Sequence, residues 1–262
     1  MSLPTPQLST VLRHDRWIVI SGLIFVTAFS WAYILMGAGM DLNTPAPRAM
    51  AITTVWDTGH ALAMLIMWWV MMVAMMLPSA APMILLVAAL HRKKTAPGRA
   101  ALLTGFFIAG YGIAWGLFST AATFLQWQLD RLALLSPMMA SASAPLGAGL
   151  LIAAGLYQMT PWKHACLRHC RAPLHFVGHR WRSGAKGAVL MGLDHGLFCL
   201  GCCWALMGLL FYGGVMNFFW IGGIALYVLI EKLAPAGHWI SRFSGVLLVL
   251  WGGAMLFRHT AL

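Results

Sequence analysis

Charge is what this 262-residue chain has least of: 9% of its residues are charged and only six are acidic, against 61% hydrophobic residues and a mean hydropathy of +0.80. That balance excludes a soluble globular domain, in which about a quarter of residues carry charge. Cysteine is sparse too, at five residues. All five fall in a basic loop or in apolar stretches, which argues against an extracytoplasmic disulfide framework, and no Cys-x-x-Cys-His offers a haem attachment point. There is no Gly-x-x-x-x-Gly-Lys-Ser/Thr loop to cradle a nucleotide, so any transport is passive, exchange-driven or completed by a partner. Neither an internal repeat nor a low-complexity linker divides the chain. One transmembrane domain covering 1–262 is the simplest organisation.

Long apolar runs are what remains. Stretches at 17–38, 62–90, 101–125, 146–161, 188–211, 216–233 and 239–257 approach or exceed the roughly 20 residues that cross about 30 Å of hydrocarbon. They predict an all-α, polytopic bundle of six or seven helices, seven by these limits with a break at Tyr212-Gly213-Gly214. The first stretch is too long for a secretory signal core and reads as a retained helix. Basic residues gather in alternate connections, with Arg13 and Arg16 before the first span, Arg92, Lys93, Lys94 and Arg99 after the second, and Lys163, Arg168, Arg171, Arg180, Arg182 and Lys186 after the fourth. Only Arg48, Arg131 and Arg258 fall on the opposite side. The positive-inside rule then places the N-terminus in the cytoplasm and the C-terminus outside, in a bacterial inner membrane. The net charge of +11 is explained by this topology and by anionic lipid headgroups, without nucleic acid.

Against that background the segment Asp194-His195-Gly196-Leu197-Phe198-Cys199-Leu200-Gly201-Cys202-Cys203-Trp204 stands out. At about 100° per residue His195, Cys199 and Cys202 share a narrow helical arc, with Cys203 at its edge. Imidazole and thiolates on one face suit a soft or borderline ion, Cu(I) first and Zn(II) second. Asp194 lies about 100° from His195 and is suited to orienting a partner. Glu231, the other acidic residue within a span, lies at a comparable depth, so that Asp194, His195 and Glu231 are predicted to be able to meet; Lys232 beside it reads as a snorkelling neighbour.

In the second span Asp57, His60, Met64, Met67, Met71 and Met75 fall within about 80° of arc, a stripe on the order of 22 Å long from His60 to Met75. Met72, Met76 and Met83 make a second face. Neutral thioethers bind Cu(I) at little cost in buried charge, so the stripe reads as a ladder for the ion. Methionine is equally an ordinary packing residue of apolar helices. Pro78 and Pro82 would free backbone carbonyls in the inner half. Glycines such as Gly105, Gly110, Gly112, Gly147, Gly149, Gly222 and Gly223 would permit close helix packing.

The loop 162–187 contributes Cys166, His169 and Cys170, which share a face if its core is helical, and His175 and His179 as an i, i+4 pair. Arg168 or Arg171 would lower a neighbouring thiol pKa toward the metal-binding thiolate. The loop reads as a metal relay or receiving site, with a loop that holds no metal as the main alternative and structural zinc as the lesser one.

At these residues the chain resembles the bacterial family catalogued as predicted metal-binding integral membrane proteins of unknown function, whose members are sometimes labelled copper chaperones. The resemblance rests on Trp68-Trp69-Val70-Met71-Met72-Val73-Ala74-Met75-Met76-Leu77-Pro78, on Lys163-x-x-Cys166-Leu167-x-x-Cys170-Arg171-x-Pro173, and on Gly192-x-Asp194-His195-Gly196-x-x-Cys199-x-Gly201-Cys202-Cys203-Trp204, with Met216-Asn217 and Glu231-Lys232 beyond. It implies metal binding at the membrane, with copper as the metal. The residues favour a non-enzymatic Cu(I)-handling protein that exchanges its ion with a soluble copper carrier or a metalloenzyme. Two competing readings are a membrane thiol oxidoreductase using the same cysteines and an assembly factor whose thiols are incidental.

Overall fold

The computed structural model describes residues 5–36, 56–136 and 139–260. The described residues are helical almost throughout: α1 (Thr5–Leu35), α2 (Thr58–Lys94), α3 (Pro97–Arg131), α4 (Ala144–Gln158), α5 (Pro161–Arg171), α6 (Pro173–Arg180), α7 (Gly184–Gly208), α8 (Leu210–Gly213), α9 (Phe218–Leu233) and α10 (Gly237–Thr260). Each apolar run picked out above lies mainly on helix, residues 37–38 of the first falling outside the described residues, with the break near Tyr212 realised at Gly214, whose φ of +95° suits glycine alone. Among the described residues, four helices are long and apolar enough to cross a membrane: α2, α3, α7 continued through α8, and α10. At 15 and 16 residues, α4 and α9 extend only about 22–24 Å, short of a hydrocarbon layer of about 30 Å.

Local chemistry sets the helix starts. Asp57 caps α2, accepting from the His60 amide at 2.7 Å, and Asn217 caps α9 through the Trp220 amide at 3.2 Å; each satisfies a donor that the helix itself leaves free. The loop 162–187 is more ordered than its polarity suggests. Pro161 and Pro173 open α5 and α6, where a missing amide hydrogen costs nothing.

Two seams of small residues hold the bundle. A Cβ added at Gly192 would lie 1.9 Å from the Phe107 carbonyl oxygen, one at Gly110 would lie 2.0 Å from that of Val189, and one at Gly196 would lie 2.5 Å from Ala114 Cβ. Thus α3 and α7 touch backbone to backbone. Gly155, Gly245 and Gly252 do the same for α4 and α10. Of the glycines singled out from sequence, Gly110 alone meets a backbone this closely; Gly147 faces the Tyr212 ring at 3.0 Å and Gly222 faces Trp31 at 3.8 Å, whereas Gly105, Gly112, Gly149 and Gly223 face open space. Flexible methionines and aromatics fill the centre, with Met67, Trp68, Met71, Met72, Phe107, Tyr111, Trp115 and Met207 all buried. Large apolar side chains also cover the exterior, among them Phe25, Leu102, Leu117, Phe219, Trp239 and Leu250.

One charge pair lies fully inside. Lys163 Nζ sits 2.9 Å from the Glu231 carboxylate, neither side chain reaching solvent, and also donates to the Cys202 carbonyl at 2.8 Å. Removing one partner strands a buried charge, so Glu231→Gln is expected to lower stability by about 3–5 kcal/mol. The apolar double variant Lys163→Met/Glu231→Leu is expected to recover most of that loss. Thermal unfolding of the purified protein in detergent checks both.

Candidate metal centre

The α3/α7 seam fixes the rotation of α7, and with it the direction of its thiols. Cys199, Cys202 and Cys203 are buried in the bundle. Cys202 and Cys203 place their sulfurs 3.0 and 2.9 Å from the Cys199 carbonyl oxygen. From α5, Cys170 lies close enough to Cys199 and Cys202 to interact with both. From α2, the Met76 thioether lies 3.8 Å from Cys203 Sγ. Four thiols and one thioether from three helices are therefore neighbours in one sulfur cluster, though among the described residues they are not at metal-ligating spacing.

A closed circuit of polar groups surrounds Cys199. Tyr111 Oη is 3.1 Å from its sulfur and donates to the Met76 carbonyl at 3.3 Å. Ser79 Oγ donates to the same carbonyl at 2.8 Å and accepts from Lys232 Nζ at 3.1 Å, while Lys232 Nζ reaches Cys199 Sγ at 3.0 Å. Lys232 therefore does not snorkel to a boundary. It turns inward because the sulfurs and Ser79 satisfy an ammonium that the surrounding apolar side chains would leave unsolvated.

His195 lies one turn before Cys199 and is buried, but its ring sits among Phe107, Tyr111 and Phe176, with centroids 5.5–6.1 Å away. Its Nδ1 has no hydrogen-bond partner. Asp194, His195 and Glu231 do not meet. Asp194 points the other way, to Arg180 at 3.1 Å and Arg182 at 3.7 Å, partly in solvent, while Glu231 is held by Lys163. The reason is electrostatic: each carboxylate takes the nearest cation on a neighbouring helix before any shared site.

In α5 the predicted shared face exists: Cys170 joins the cluster, Cys166 packs on Gly201, and His169 stacks on Phe198 with centroids 4.2 Å apart. The expected arginine activation of these thiols does not. Arg171 donates to the carbonyls of Ala234 and Pro235. Hydrogen bonding to Cys199 and Cys202, then burial, pushes the Cys170 thiol well above its ordinary pKa, and burial with the nearby Cys202 raises that of Cys166. His175 and His179 stack on each other at 4.2 Å.

At the far end of α2 the Asp57 carboxylate serves as the helix cap and His60 lies edge-on to Trp56 at 4.9 Å. Met64, Met67, Met71 and Met75 are all buried. It is Met76, from the second methionine face, that touches a thiol.

Among the described residues, no three of the His, Cys, Asp and Glu side chains stand grouped as a metal-binding set. What the bundle offers is a buried group of sulfurs in which Lys232 Nζ donates to Cys199 and the Tyr111 hydroxyl lies against the same sulfur. Its donor chemistry fits a soft, low-charge ion such as Cu(I): several thiols, one thioether, and no carboxylate or water-facing oxygen among the side chains at the sulfurs. Sequence reading missed Lys232 as a cluster member, because a lysine in the last turn of an apolar helix reads as a boundary residue; Tyr111 and Ser79 gave no signal.

Over residues 65–255 the chain matches the family described as copper chaperone, and it belongs to that family. No curated protein and no solved structure matches it.

Proposed function

We propose that this chain is an integral protein of the bacterial inner membrane that takes Cu(I) into the cluster of Cys170, Cys199, Cys202, Cys203 and Met76 and passes it to a soluble carrier or a recipient metalloenzyme, without catalysing a reaction of its own. The observation that carries the reading is the burial of three α7 thiols, Cys199, Cys202 and Cys203, beside the α2 thioether of Met76, 3.8 Å from Cys203, with the half-buried Cys170 of α5 next to them. The apolar exterior and four membrane-length helices support integration in a bilayer. The remaining apolar helices α1, α4 and α9 complete seven crossings in this proposal, with the basic connections and the N-terminus in the cytoplasm. Copper is the cargo, and it supplies affinity for the sulfurs; the protein contributes a dry cavity, and Lys232 and Tyr111 keep Cys199 satisfied between loads.

Metal analysis of anaerobically purified protein tests this. Wild type is expected to hold close to one copper per chain and the Cys199→Ser/Cys202→Ser/Cys203→Ser variant almost none. The neighbouring position of Cys170 and Cys199 on different helices favours one competing reading, a thiol oxidoreductase. Metal-free protein whose intact mass is lower by two hydrogens, with the disulfide mapped to Cys170, would replace the copper reading with that one. Zinc retained in both proteins would place the metal in the α5–α6 segment instead.

A further inference from the structure

The sulfur cluster, which meets α2 at its middle, has a counterpart near the start of that helix. Gln126 of α3 is buried, and its side-chain oxygen accepts from Trp68 Nε1 at 2.7 Å. An indole can only donate, so this bond fixes which way the amide faces. The amide nitrogen is thereby turned toward two thioethers, Met64 Sδ at 3.4 Å and Met139 Sδ at 3.3 Å. Thioether sulfur is a weak acceptor. A buried amide whose donors both end on sulfur is held with little energy, and its partial positive charge occupies the place that suits a soft cation.

The two sulfurs differ in access. Met64 is buried, whereas Met139 is half-exposed. Met139 is also held in a left-handed backbone conformation, with φ +53°, uncommon for a residue that is not glycine and costing on the order of 1 kcal/mol or more. Backbone bonds hold it in place: the Met139 amide donates to the Ser136 carbonyl at 2.8 Å, and the Ser136 amide donates to the Ala140 carbonyl at 2.8 Å. The chain thus keeps a strained conformation that sets a surface thioether beside a buried one. Beyond Met64, buried methionines recur at Met67, Met71, Met72, Met75 and Met76. Counted from Met64, the column covers about 18 Å of helix at 1.5 Å per residue and ends 3.8 Å from the Cys203 thiol.

We infer that Met139 and Met64, with Gln126 between them, form a receiving site for a soft monovalent cation at the Asp57 end of the molecule, the place where Cu(I) leaves its donor and joins the methionine column. This rests on the copper reading above and adds its point of loading. Two neutral thioethers are a weaker ligand set than a cluster of thiols. That order is what a loading site needs: binding firm enough to accept the ion and loose enough to release it toward the thiols. On loading, the amide nitrogen gives up the two sulfurs while Trp68 retains its oxygen, so no bond of the protein backbone has to break.

The test uses Ag(I), a soft monovalent ion that does not change oxidation state under peroxide, on the full-length protein in detergent. Limited peroxide treatment converts accessible methionine to sulfoxide, and peptide mass spectrometry reads Met139 alone. The silver–thiolate ultraviolet absorption of the same sample reads the cysteine cluster. With free silver at about ten times the dissociation constant of the site, sulfoxide formation at Met139 is expected to fall about tenfold, and Met139→Leu is expected to bind one silver fewer with its thiolate absorption unchanged. An unaltered oxidation rate at Met139 while the thiolate absorption reports a filled cluster would overturn the receiving site and leave the copper reading standing. Protection of Met139 without any thiolate signal would uphold the site and overturn the cluster as the destination. Loss of both signals would overturn both.

Discussion

Cys199→Ser is expected to weaken Cu(I) binding on the order of 100-fold or more, the largest effect of any single thiol substitution, whereas Cys166→Ser is expected to change it by less than about tenfold. The ranking follows from position. Cys199 is the sulfur on which Lys232, Tyr111 and Cys170 converge, and the Cys202 and Cys203 sulfurs both rest on its carbonyl. Serine keeps the size and the hydrogen bonds but replaces a soft donor with a hard one, so the variant isolates ligand chemistry from folding. Cys166 packs on Gly201 at the margin of the cluster. An anaerobic competition titration against a chromophoric Cu(I) chelator checks the order. A reversed ranking would centre the site on α5.

The second large effect is structural. Gly192→Ala is expected to cost about 3 kcal/mol or more, because its methyl group would meet a carbonyl oxygen 1.9 Å away and two backbones would have to separate. Gly105→Ala has the opposite expectation. It lies on the same pair of helices' outer side with nothing within 4 Å, so only the better helix propensity of alanine remains, a gain of up to about 1 kcal/mol. Thermal unfolding of the two variants side by side gives the sign of each change. Gly192→Ala is further expected to lose copper with the fold, since the α3 contact turns the three α7 thiols inward.

The contrast between these glycines shows where sequence reading reaches its limit. Periodicity within one helix identifies a face, and so the thiols of α7 and the cysteines of α5 were legible as candidates. The partner of that face is set by crossings between distant helices, and those depend on contacts such as Gly110 with Val189 and Gly192 with Phe107 that no single-helix pattern displays. The methionine stripe carries the same lesson. Met64 through Met75 shared an arc with Asp57, yet Met76 on the adjacent face reaches Cys203, because the position of α7 beside α2 decides which thioether meets it. Charged residues were misplaced for a related reason. Asp194, Glu231 and Lys232 were read by depth, but each is oriented by its nearest opposite or soft partner: Arg180, Lys163 and Cys199.

The glycine seam between α3 and α7 also divides the molecule into parts that can and cannot yield. Backbones in direct contact have no intervening side chains to rearrange, so these two helices behave as one strut. The grips on the other side of the thiols are of another kind: Lys163 on the Cys202 carbonyl and Glu231, Arg171 on the carbonyls that follow α9, and Lys232 on Cys199 and Ser79. Among them, Arg171 at the edge and the buried Lys163–Glu231 pair behind it are polar bonds that a small separation of α5 from α9 would open together. In the transfer proposed above, the α5–α9 side is therefore the latch, while the strut keeps the sulfurs in register as it lifts.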